Sequence, residues 1–124
     1  ARDEACWRAV ATALRPQTAR LVLGGRSYGG RIASQVVATG APCDGLVFLA
    51  YPLHPPGKTD ALRTAHLAAI RVPMLFLQGT RDPFAEPALL AHAIDALPRA
   101  TLHRVEGADH AHTVRGRTLC TART

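Results

Sequence analysis

Long hydrophobic runs are missing from this sequence of 124 residues: the longest, at 46–51, falls far short of the roughly 20 apolar residues a membrane-spanning helix needs. A membrane partner is therefore not expected. Lysine is nearly absent, with Lys58 alone against fourteen arginines. Those arginines fall singly, as at Arg15, Arg20, Arg26, Arg31, Arg63, Arg71, Arg81, Arg99 and Arg104, and thicken only at Arg115, Arg117 and Arg123. Phosphate tracking needs a clustered basic stripe, so a net charge of +6 with a pI near 10.2 does not by itself argue for a nucleic-acid partner. Cysteine is scarce too. Cys6, Cys43 and Cys120 are odd in number and widely spaced, giving no disulfide framework and no metal-ligand pair. The expectation is a reducing, cytoplasmic setting with no metal and no cofactor. No basic stretch precedes an apolar one as a secretory leader requires, and the absent initial methionine marks a processed chain or a piece of a longer one.

What is present is a repeating alternation of helix and strand patterns. Trp7, Val10, Ala11 and Leu14 recur on one helical face and Pro16 follows as a stop. Residues 20–24 form a short apolar strand running into glycine, and Ile32, Ala33, Val36 and Val37 mark a helix over 28–39 closed by Gly40. A second buried strand spans 45–51, followed by a loop over 51–58 that Pro52, Pro55 and Pro56 keep irregular. Leu62, His66, Leu67 and Ile70 predict a short helix, 72–78 a third strand with its proline at the start, Leu90, Ala93, Ile94 and Leu97 another helix, and 101–105 a fourth strand. Connections too long for hairpins imply a parallel sheet with helices on both faces, an α/β fold. Residues 113–124 carry few apolar anchors and read as an irregular basic tail.

Chemistry enters where the first strand meets its helix. Gly25-Arg-Ser27-Tyr-Gly29 is a G-x-S-x-G pentapeptide in strand-turn-helix context, where a sharp turn demands glycines and exposes Ser27, with the Tyr28 amide as an oxyanion donor. The bland alternatives are a glycine-rich turn with an incidental serine, or a phosphate-binding loop. A serine nucleophile needs an acid and a base, which in this architecture follow in the order Ser, Asp, His. Asp82 follows the third strand and His110 the fourth, both beyond carboxyl ends of strands, where open α/β sheets place their sites. Asp82 also fits an ordinary turn aspartate. His110 has Asp109 and His112 as neighbouring rivals, whereas His92 and His103 fit solvated faces.

These residues resemble a known family. The segments Gly24-Gly-Arg-Ser-Tyr-Gly-Gly-Arg-Ile-Ala-Ser34, Tyr51-Pro-Leu-His-Pro-Pro-Gly-Lys58, Leu62-Arg-Thr-Ala-His-Leu67 and Leu77-Gln-Gly-Thr-Arg-Asp-Pro-Phe84 are similar to the dienelactone-hydrolase-like branch of the α/β hydrolases. That branch includes the testis-expressed and non-specific-lethal chromatin-complex homologues. The resemblance covers residues 1–112 and implies a three-layer α/β-hydrolase fold, here its C-terminal part with about four strands. It implies a serine hydrolase acting on a small-molecule ester or related acyl bond, with Ser27 as nucleophile, Asp82 as acid and His110 as base. In the 51–58 loop His54 either faces substrate or sits in a surface turn that the prolines simply rigidify, and Arg63 and His66 either brace that loop or meet substrate. Ser27 departs from dienelactone hydrolases proper, which carry cysteine there. The family begins with further strands whose loops supply a second oxyanion amide, and ends with a helix that 113–124 does not resemble. Weak or absent turnover is therefore expected of these 124 residues alone, the loss of one oxyanion donor costing about 100-fold or more. The chromatin-complex relatives keep a non-catalytic interaction module as the alternative. A first strand without those neighbours would be a bare apolar edge inviting self-association.

Overall fold

The computed structural model describes residues 2–114 and 117–118. Three α-helices and four parallel strands alternate along it: α1 (Arg2–Leu14), β1 (Val22–Arg26), α2 (Tyr28–Ala38), β2 (Gly45–Leu49), β3 (Met74–Gly79), α3 (Pro87–Asp95) and β4 (Ala100–Val105). The sheet order is β1-β2-β3-β4 and every pair is parallel. Helix α1 stops where Pro16 follows, and α2 ends ahead of Gly40, whose φ of 107° only glycine adopts without strain. Pro87 opens α3, and the Glu86 side chain accepts from the Leu89 N–H at 2.9 Å as its cap.

The register sorts side chains onto two faces. One face carries the rows Leu23–Leu46–Met74 and Phe48–Phe76. These residues join Ala11 of α1, Ala33 of α2, Leu67, and Leu90 and Ile94 of α3 in one buried cluster, so all three helices cover that same face. Phe48, Phe76 and Tyr51 fill its centre, with ring centroids 4.7–5.6 Å apart. A monotone strand order with crossovers of one hand sends every connecting helix to one side. The opposite face presents Val22, Val47, Leu49, Leu75 and Leu77, none of them fully buried, and the second helical layer has no counterpart among the described residues. None of the described helices is long and apolar enough to cross a membrane.

Three expectations are corrected. The helix predicted around 62–70 is only a single 3₁₀ turn, Leu67–Ala69. Backbone groups there bond across the loop instead of along a helix: the Arg63 N–H goes to Leu53 O at 2.8 Å. The second strand ends at Leu49, because Ala50 takes a positive φ of 63° that turns the chain out of the ladder. The basic tail begins with regular pairing, Thr113–Val114 lying antiparallel to Arg117–Thr118, and its remaining residues lie outside those described.

Candidate active site

Ser27 is the single residue between β1 and α2. Its φ of 50° and ψ of −120° lie outside the ordinary regions for a residue with a side chain, the strain expected of a sharp strand-to-helix turn. The turn is fixed from both sides by Ser27 N–H to Leu49 O at 2.9 Å and Arg31 N–H to Ser27 O at 3.1 Å. Of the glycines around it, Gly25 is required sterically: a Cβ there would stand 2.7 Å from Gly30 N and 2.8 Å from Gly29 C. Gly30 is equally constrained, its Cβ falling 2.7 Å from Gly25 O. Gly29, demanded by the pentapeptide argument, is not. Its Cβ would meet only Trp7, at 4.0 Å. The close approach of helix to strand runs through Gly25 and Gly30.

Asp82 and His110 reach Ser27 from the ends of β3 and β4. His110 Nε2 lies 2.7 Å from Ser27 Oγ, and His110 Nδ1 lies 2.7 Å from Asp82 Oδ2. Asp82 also accepts from Gln78 Nε2 at 2.8 Å and from the Phe84 N–H at 2.8 Å, so both of its oxygens face donors and it acts as a carboxylate. The imidazole therefore carries its proton on Nδ1, leaving the Nε2 lone pair to accept from the Ser27 hydroxyl. The Asp82 side chain is fully shielded, whereas that of His110 is 21% exposed. Phe84 stacks on the imidazole with centroids 4.3 Å apart. The two loops approach closely enough to do this because residue 79 is glycine: a Cβ there would fall 2.2 Å from Ala108 O.

The neighbours weighed against His110 have other partners. Asp109 accepts from the Ala111 and Thr113 N–H groups, both at 2.9 Å, and Thr113 first among these backbone donors holds its carboxyl below the usual range. His112 Nε2 bonds Leu77 O at 3.3 Å. Tyr28 heads α2, so its N–H belongs to the first turn, where no carbonyl four residues earlier can accept it. Its hydroxyl donates to Asp3 Oδ2 at 2.6 Å and ties α1 to the elbow.

Of the two readings of His54, the structure places it in the rigid turn. His54 is 2% exposed, its Nε2 accepts from the Glu86 N–H at 2.9 Å, and its Nδ1 donates to Pro55 O at 2.8 Å. Nε2 thus joins the 51–58 loop to the start of α3, while Nδ1 closes a bond within the loop itself. The same loop is braced by Tyr51, whose hydroxyl donates to Arg63 O at 2.7 Å and whose pKa burial pushes up to about 12. His66 completes the brace, its Nε2 lying 2.7 Å from the buried Ser34 Oγ. Sequence reasoning misses Gln78 and Phe84 as separate participants, although both lie in the segment 77–84 that carries Asp82.

Comparison with known proteins agrees with this fold. The sequence model of the alpha/beta hydrolase domain family matches residues 2–124, the basic tail included. A Thermus thermophilus protein of known structure superposes with a TM-score of 0.68 at 26% identity, over 90% of this chain and 56% of that one. A Xanthomonas campestris alpha/beta serine hydrolase without a lid superposes with a TM-score of 0.61 at 27% identity, over 83% of this chain and 45% of that one. The chain thus spans about half the length of these two structures. A shorter stretch of 48 residues, 39% of this chain, is 42% identical to 2% of the polyketide synthase ThaQ of Burkholderia thailandensis.

Proposed function

Because this chain belongs to the alpha/beta hydrolase domain family, we propose that it is a serine hydrolase of small-molecule esters or related acyl bonds, working through Ser27, His110 and Asp82. The observation that carries this reading is the continuous relay from Ser27 Oγ to His110 Nε2 and from His110 Nδ1 to Asp82 Oδ2, each step 2.7 Å, beginning at a strained, half-buried turn.

In this mechanism Ser27 Oγ attacks the acyl carbon while its proton passes to His110 Nε2. The imidazolium so formed is stabilised by the Asp82 carboxylate, and the Tyr28 N–H at the head of α2 faces the tetrahedral oxyanion. His110 then gives the proton to the leaving group, whose bond to carbon breaks, leaving the acyl group on Ser27. Water attacks this ester, surrendering a proton to His110. Collapse of the second tetrahedral species returns that proton to Ser27 Oγ and frees the acid.

The narrower assignment to the dienelactone-hydrolase-like branch rests on the Tyr51-Pro-Leu-His-Pro-Pro-Gly-Lys58 run. His54 is buried in that run, so it braces the loop instead of meeting substrate. Cys6 and Cys43 are free thiols, compatible with a reducing compartment such as the cytoplasm. A fluorophosphonate probe tests the nucleophile: the chain is expected to label, Ser27→Ala not to label, and Asp82→Asn to label about 10⁴-fold more slowly. Equal labelling of chain and Ser27→Ala sinks the assignment.

A further inference from the structure

We propose that Gln78 is a positioning residue for this relay, its side-chain amide clamping the Asp82 carboxylate to the end of β2; the proposal rests on the serine-hydrolase reading above. Gln78 lies on the inward face of β3 in line with Met74 and Phe76, and is 3% exposed. Alternation predicts an apolar residue at such a position, and an amide buried there costs stability unless both its ends are bonded. Both ends are. Nε2 donates to Asp82 Oδ2 at 2.8 Å, and Oε1 accepts from the Tyr51 N–H at 2.9 Å. The two partners also fix which end is nitrogen, since a backbone N–H can only donate and a carboxylate can only accept.

The oxygen that Gln78 holds is the one that meets His110 Nδ1. With the Phe84 N–H on Oδ1, the carboxylate plane is set by two donors other than histidine. Asp82 therefore cannot turn Oδ2 away from the imidazole as His110 gains and loses its proton. The far end of the amide reaches the strand end that also holds the nucleophile. Leu49 O accepts the Ser27 N–H, Ala50 N–H donates to Leu77 O, and Tyr51 N–H donates to Gln78 Oε1. One side chain thus spans the two segments whose separation fixes the distance between Ser27 and Asp82.

Two variants of the full chain separate positioning from mere packing. Gln78→Glu keeps the shape and an oxygen for the Tyr51 N–H, but sets an acceptor against Asp82 Oδ2. Gln78→Leu removes both bonds. Hydrolysis of p-nitrophenyl acetate by Gln78→Glu is expected to show kcat lowered about 10-fold to 100-fold at neutral pH with KM unchanged. Relative to the unaltered chain, that deficit is expected to shrink as pH falls, because the introduced carboxyl regains a donor once it is protonated. Two outcomes overturn the proposal: Gln78→Glu within about twofold of the unaltered chain at every pH, or equal, pH-independent losses in both variants.

If the unaltered chain neither labels with fluorophosphonate nor hydrolyses the ester, the serine-hydrolase reading falls, and positioning is decided without turnover. In a Ser27→Ala background the His110 Nδ1 proton resonance is expected to move on Gln78→Glu while those of His54 and His66 stay. An unmoved His110 resonance overturns the clamp.

Discussion

Gly25 and Gly29 flank the same serine and have opposite tolerances. A methyl at Gly25 would press on backbone atoms of Gly29 and Gly30, which yield only if α2 moves off the sheet. Gly25→Ala is expected to lose about 1–3 kcal/mol and, with the elbow displaced, fluorophosphonate labelling as well. Gly29→Ala has open space and sits in the first turn of α2, where alanine gains up to about 1 kcal/mol of helix propensity. Parallel thermal melts decide this; an equal loss of Tm in the two variants would contradict the assigned contacts. The G-x-S-x-G pattern was legible in sequence, but which glycine bears the steric load was not. That depends on how close α2 lies to β1, which no local pattern encodes.

At the scale of elements, the loop between β2 and β3 shows side chains replacing a helix. His66 donates Nε2–H to Ser34 Oγ, since the Ser34 proton goes to Arg31 O at 2.6 Å and that carbonyl can only accept. Burial, and after it the Arg31 charge, hold the His66 pKa below its ordinary 6.5, with Glu4 opposing. The neutral imidazole is thus favoured by folding. Its contribution to stability is complete above the unfolded value of 6.5 and is lost as pH falls below it toward the depressed folded value. Thermal melts of the unaltered chain are expected to lose Tm from pH 7 downward more steeply than those of His66→Gln, whose amide can still donate to Ser34. Identical pH slopes would remove His66 as the cause. Sequence left His66 to brace the loop or to meet substrate, and its helical spacing with Leu62 and Ile70 could not name Ser34 as the partner, because periodicity reports a possible face and not what lies against it.

For the molecule as a whole, the described sheet has two open edges, β1 and β4, and helices on one face. Val22 on β1 is 59% exposed beside unpaired strand backbone, and Leu49 on β2 is 37% exposed. Such an edge templates pairing with another strand. Sedimentation of this 124-residue chain is expected to show association that grows with concentration and is suppressed by Val22→Lys. Association unchanged in that variant would point away from β1.

Local chemistry settled much of this protein in advance. Strand order, three of the four expected helices, the proline and glycine stops and the turn at Ser27 follow from residues acting on their near neighbours. Tertiary structure decided which of several competent groups meet. It brought His110 and not His112 to Ser27, withdrew His54 into a loop, and set Gln78 behind Asp82. These outcomes turn on ångström-scale approaches between segments distant in sequence, such as Gly79 against Ala108, and spacing along a chain carries no record of such approaches.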